Sequence, residues 1–158
     1  MGYVSPAGLG LSRDYYMDQD DNTKLKRGKY VDHIAKMLQF YGDSKEIACK
    51  NAQRIFDYEY SLAKPRMTKE ESRDRRKSYN PKSIDELTNL ASTIHWNTYF
   101  KGIGIAKMDT VVVSQPKYMA AMDSIIKAST LNDIKLYLKW NTINGAANML
   151  SNDIEVAN

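Results

Sequence analysis

A chain of 158 residues, 42% of them hydrophobic, is long enough to bury roughly 70% of the surface its unfolded form exposes, so one domain is the natural expectation. Its formal charge of +4 comes from 23 basic and 19 acidic residues interleaved along helix-like stretches, which describes a solvated surface and exerts only a weak pull on anionic partners. The single cysteine, Cys49, excludes an internal disulfide and a cysteine-built zinc site, and no apolar run approaches the roughly 20 residues that cross a bilayer.

Residues 1–22 read as a loop-rich lead-in. Met1-Gly2-Tyr3-Val4 begins as if in the middle of a strand or loop, and Pro6, Gly8 and Gly10 punctuate the stretch up to Ser12-Arg13-Asp14-Tyr15-Tyr16, which interrupts it. Residues 23–158 read as helical. A helix over 24–41 places Tyr30, Val31, Ile34, Met37, Leu38 and Tyr41 on one face and stops at Gly42. Ser44 then caps a second helix over 45–64, striped by Ile47, Ala48, Asn51, Ala52, Ile55, Tyr58 and Leu62 and ended by Pro65.

A charged segment at 68–77 leads to Tyr79-Asn80-Pro81, a turn signature that takes Asn80 out of helical geometry. Ser83-Ile84-Asp85-Glu86 has the spacing of a capping box, in which the serine hydroxyl and the glutamate carboxylate satisfy each other's free amides. A short helix with Leu87 and Leu90 comes next, then another around Trp96, Tyr99 and Phe100, closed by Gly102 and Gly104. Val111-Val112-Val113 is the one extended run, because three stiff β-branched side chains fit a pleated surface better than a helix. Ser114 is an N-cap candidate, Pro116 suits a first helical turn, and Tyr118, Met122, Ile125 and Ile126 recur at helical spacing. The last helix, 131–150 behind Thr130, carries Leu131, Ile134, Leu138, Trp140, Ile143, Ala147 and Leu150 almost all the way round, which predicts burial at the centre of something. No glycine or proline stops it before the sequence ends, so the chain reads as a single partial domain excised from a longer protein. The fold class expected is all-α, with one short extended segment near 111–113.

Chemistry-bearing residues are sparse. His33 and His95 lack a second histidine, cysteine or carboxylate at ligand spacing and read as structural, His95 as a helix cap. Glu59 sits on the apolar face of its helix between Ile55, Tyr58 and Leu62, where a carboxylate must be paired or hydrogen-bonded; a partner from Arg73, Arg75 or Arg76 is expected. The basic clusters Lys24-Leu25-Lys26-Arg27-Gly28-Lys29 and Arg73-Asp74-Arg75-Arg76-Lys77 accompany 11 tyrosines, but most aromatics fall on core stripes, so no nucleic-acid partner is expected. No nucleophile elbow and no phosphate-cradling glycine loop is present. From the residues alone, no catalytic, cofactor-binding or metal-ligating position is assigned.

Taken together, Gly8-Leu9-Gly10-Leu11-Ser12-Arg13-Asp14-Tyr15-Tyr16, Tyr79-Asn80 before a capped helix, Trp96 through Phe100, Val111-Val112-Val113 leading to Pro116 and Tyr118, and Trp140 form an ordered set over the whole chain. In this order and spacing the chain resembles the N-terminal, non-catalytic region of the neprilysin-like zinc metallopeptidases, the group of neprilysin, endothelin-converting enzyme and the bacterial PepO oligopeptidases. The resemblance implies part of a helical lobe that packs over a separate catalytic lobe and limits the size of peptides reaching it. Zinc, its His-Glu-x-x-His helix and the substrate-binding strand would then belong to that other lobe of the parent, and none maps onto these residues. It further implies the catalytic lobe and peptide substrates as partners, self-association of the isolated chain, and a parent outside the cytoplasm, in the periplasm or at the cell surface, although cytoplasmic bacterial members also occur. The competing expectation is a free-standing helical interaction module with a mildly basic surface.

Overall fold

The computed structural model describes residues 2–149, the side chain of Asn148 excepted. In chain order its elements are β1 (Gly2–Val4), α1 (Arg13–Met17), α2 (Asp21–Phe40), α3 (Lys45–Ala63), α4 (Lys69–Arg73), α5 (Arg75–Ser78), β2 (Asn80–Ser83), α6 (Ile84–Leu90), α7 (Trp96–Gly102), β3 (Thr110–Val113), α8 (Pro116–Ala128) and α9 (Leu131–Ala146), with a 3-10 turn at Ala147–Met149. The predicted end of the last helix at Leu150 and the segment 151–158 lie outside the described residues. The fold is mostly helical with a small sheet, and the chain divides into two compact units: Met1–Leu9 with Lys64–Ala128, and Gly10–Ala63 with Ser129–Asn158.

The first unit is organised on β3. Val111, Val112 and Val113 are fully buried, as a strand flanked on both sides and covered on its faces requires. β1 pairs parallel to β3 (Gly2 beside Val111) and β2 antiparallel to it (Asn80 beside Val113), giving the order β1-β3-β2. The Tyr79-Asn80-Pro81 signature, read as a turn, opens β2 instead; Pro81 is tolerated there because β2 is an edge strand whose outer side needs no ladder donor. The capping box forms as its spacing requires, with Glu86 N–H donating to Ser83 Oγ (3.2 Å) and Ser83 N–H to Glu86 Oε2 (2.9 Å). Ser114 does not cap α8. Its amide extends the β1 ladder by donating to the Val4 carbonyl (3.0 Å), and its hydroxyl is buried with no partner among the described residues. Ile84, Leu87, Trp96, Phe100, Val111, Val113, Tyr118 and Met119 form the core of this unit.

The second unit is a helical bundle. α2 and α3 form a hairpin at Gly42, whose φ of +103° is open to glycine at no steric cost. The small Ala48 and Ala52 of α3 lie against Ile34, Met37 and Leu38 of α2, and Trp140 and Ile143 of α9 complete the core. α2 starts three residues before the expected 24–41 span, because the Asp20 carboxylate accepts from Thr23 N–H (3.0 Å) and caps it. In the first basic cluster, Arg27 Nη1 donates to the carbonyls of Tyr15, Tyr16 and Asp18 at 3.3, 3.1 and 2.8 Å, closing the open end of α1. Two ion pairs fix α9: Arg54–Asp133 at 2.6 Å and Lys139–Asp43 at 3.0 Å. The expected all-round burial of α9 does not hold. Trp140 and Ile143 are buried, whereas Leu131 and Leu138 are 65% and 58% exposed.

Candidate functional site

The one carboxylate buried in the second unit, among the described residues, is Glu59, and two tyrosine hydroxyls reach it. Tyr16 Oη of α1 and Tyr30 Oη of α2 both donate to Glu59 Oε2 at 2.8 Å, and the Trp140 indole and the Gly10 backbone lie close to the same acid. Tyr16 Oη in turn accepts from Leu11 N–H (3.1 Å), so the lead-in segment is tied to the bundle through this one acid. Removal from water pushes the Glu59 carboxyl above its ordinary range, against the pull of these hydrogen bonds. Burial and the nearby carboxylate push both tyrosine hydroxyls upward, which keeps them protonated and able to donate. Arg73, Arg75 and Arg76, the partners expected from the sequence, lie exposed on α4 and α5 and take no part. Tyrosine hydroxyls hydrogen-bond the carboxylate in place of the expected arginine.

The first unit contains an apolar cavity of about 380 Å³ between β1, α7 and α8. Its lining includes Trp96, Phe100, Met108, Met119 and Met122, while Tyr3, Tyr99 and Ile103 stand exposed at it. Polar contacts hold the frame. Trp96 Nε1 donates to the Ala91 carbonyl (3.0 Å), and Asp123 accepts from the Thr93 amide and hydroxyl at 2.7 and 2.8 Å while pairing with Lys127 at 2.6 Å. The Lys127 ammonium beside Asp123 holds its carboxyl down at about 2, so this fastening is ionised at any ordinary pH. A second, more polar cleft of about 550 Å³ is lined by Arg66, Lys77, Gln115 and Lys117 among others. Arg66 lies 5.2 Å from the Tyr118 ring centroid and donates to the Ala7 carbonyl at 2.6 Å. The apolar cavity offers mainly shape and dispersion contacts, with Ser5 and the hydroxyls of Tyr3, Tyr99 and Tyr118 as the polar groups of its lining.

The remaining sequence candidates lie on different elements. His33 stands edge-on to Trp140 with ring centroids 5.8 Å apart, and His95 is the N-cap residue of α7 but makes no side-chain cap bond. Cys49 is an exposed free thiol on α3. Nothing in the sequence marks Tyr16, Tyr30, Trp140 and Gly10 as the groups surrounding Glu59, since a tyrosine on a helix stripe looks like any other core residue. Among the described residues, no group of three or more His, Cys, Asp and Glu side chains converges to hold a metal, and no helix is long and apolar enough to cross a membrane.

The family model described as peptidase family M13, in its N-terminal form, matches residues 1–158. The chain belongs to peptidase family M13. Human endothelin-converting enzyme 1 is 29% identical over 153 residues, covering 93% of this chain and 20% of that protein. Neprilysin-3 of Drosophila melanogaster is 24% identical over 160 residues, covering 94% of this chain and 20% of its own length. Among solved structures, the zinc metalloprotease Zmp1 of Mycobacterium tuberculosis in its open state superposes with a TM-score of 0.89 at 25% identity, over 97% of this chain and 24% of that one. PepO from Lactobacillus rhamnosis HN001 shares the fold, with a TM-score of 0.72 at 15% identity over 95% of this chain and 24% of its own. This M13 chain thus spans about a fifth of the length of the relatives it matches.

Proposed function

We propose that this M13 segment is part of the helical lobe of a zinc metalloendopeptidase, packing over a catalytic lobe elsewhere in the parent and limiting substrates to peptides. The observation that carries this reading is the match of the M13 N-terminal model to all of residues 1–158, supported by the TM-score of 0.89 to a zinc metalloprotease. Wall-building suits the chain's physics. Packed helices and a fixed sheet supply a rigid surface, and a size-selective wall needs no titrating group. The described residues offer no ligand set that fits zinc, so the metal would be held by the parent's other lobe, where it would activate water for peptide hydrolysis. By the same resemblance, the parent acts outside the cytoplasm.

The test is a series of peptide substrates of increasing length, ending in a folded protein, offered to the full-length enzyme. Chelator-sensitive cleavage that falls off sharply with size is expected; equal rates on short peptides and folded proteins would contradict the proposal.

Leu131 and Leu138 on α9 fit this reading as surface that the parent's other elements would cover. The isolated chain is therefore expected to self-associate or to bind an apolar dye. A monomer by light scattering that binds no dye would count against it.

A further inference from the structure

The Glu59 carboxylate is buried to 1% exposure, and the hydrogen bonds of 2.8 Å made to it come from neutral tyrosine hydroxyls. The groups facing it come from each element packed on it: Tyr16 from α1, Tyr30 from α2, Trp140 from α9 and the Gly10 amide from the lead-in. Tyr137 of α9 and His33 of α2 are the next titratable groups, beside Tyr30 and against Trp140 respectively. The cations of α2 nearest this end are engaged elsewhere, with Lys26 Nζ on Tyr15 Oη (3.2 Å) and Arg27 on the carbonyls that end α1. The two tyrosine hydroxyls spread a negative charge but supply no opposite one, and burial of a carboxylate favours its neutral form. A neutral carboxyl can be accommodated, because each tyrosine hydroxyl accepts as well as donates.

We propose that Glu59 is a proton-dependent clasp: in its neutral form it fastens the 10–16 segment onto α2, α3 and α9, and its ionisation at higher pH loosens that segment. Tyr16 makes the attachment direct, since its oxygen joins the Leu11 amide to the acid. The lead-in can come this close only because residue 10 is glycine, for a Cβ there would fall on the Tyr30 hydroxyl. Burial raises the folded-state pKa above the ordinary 4.5. A group with a raised folded-state pKa binds its proton more tightly when folded, so the stabilisation is fully present below 4.5 and is lost as pH rises through the folded value.

The experiment compares the whole 158-residue chain with its Glu59→Gln variant, which keeps a neutral, similarly shaped group at every pH. Denaturant midpoints and Leu11 amide exchange are monitored from about pH 5 to about pH 9, and the difference between the two proteins cancels all other ionisable groups. The expected result is a wild type that loses ground to E59Q as pH rises, with Leu11 exchange accelerating more in the wild type. A difference independent of pH, or a wild type that gains on E59Q with rising pH, overturns the proposal. Should E59Q fail to fold, carbon-13 titration of the Glu59 carboxyl in the wild type decides: a midpoint above 4.5 supports the clasp and one at or below it refutes the clasp.

Discussion

Trp140→Ala is expected to destabilise the chain by about 3–5 kcal/mol, the cost of emptying a large aromatic site in a packed core. Trp140 is 1% exposed at the meeting of α2, α3 and α9, edge-on to Tyr30 with centroids 6.3 Å apart and to His33 at 5.8 Å. Its loss removes that packing and leaves a cavity beside Tyr30, which donates to Glu59 at 2.8 Å. Against the 5–15 kcal/mol typical of a folded domain, this is about a fifth or more of the total. Denaturant unfolding monitored by far-ultraviolet dichroism measures it. A shift below about 1 kcal/mol would mean that the bundle does not depend on α9 in this way.

Gly10→Ala is expected to cost about 2–5 kcal/mol although it adds a single carbon. The new Cβ would occupy the place of the Tyr30 hydroxyl, which donates to Glu59 at 2.8 Å, so tyrosine or loop must move and a buried acceptor loses a donor. Gly8→Ala is the control, since nothing lies within 4 Å of a Cβ there, and it should change stability by less than about 0.5 kcal/mol. Adding Tyr30→Phe to Gly10→Ala removes the obstructing oxygen and should recover part of the loss, a coupling that a double-mutant cycle reads directly. Strict additivity of the two substitutions would separate Gly10 from the Glu59 cluster.

The features legible in the sequence are those that local chemistry decides. Gly42 closing a helix, the Ser83 to Glu86 box, the Thr130 cap and Pro116 in a first turn each depend on residues within four positions, and all appear in the structure. The valine run likewise announces β3. Its neighbours do not announce themselves as strands, because β1 is three residues long and β2 contains a proline, and both are defined by distant pairing with β3. Glu59 is legible as a buried acid, since it interrupts an apolar stripe. Its partners are not, because hydroxyls from α1 and α2 reach it only after the helices pack, and the arginines nearest in character remain at the surface. Periodicity also cannot show which side of α9 stays uncovered, for an apolar residue carries the same signal whether its cover lies inside the chain or beyond it. The family signal is of another kind. It lies in the order of several short motifs spread over the whole chain.

If these helices form a wall and leave peptide hydrolysis to residues elsewhere in the parent, the purified 158-residue chain should be inert towards peptides. Incubating it with zinc and a fluorogenic oligopeptide, with and without chelator, tests this most directly. The same background signal is expected in both; cleavage that the chelator abolishes would contradict the assignment of a wall.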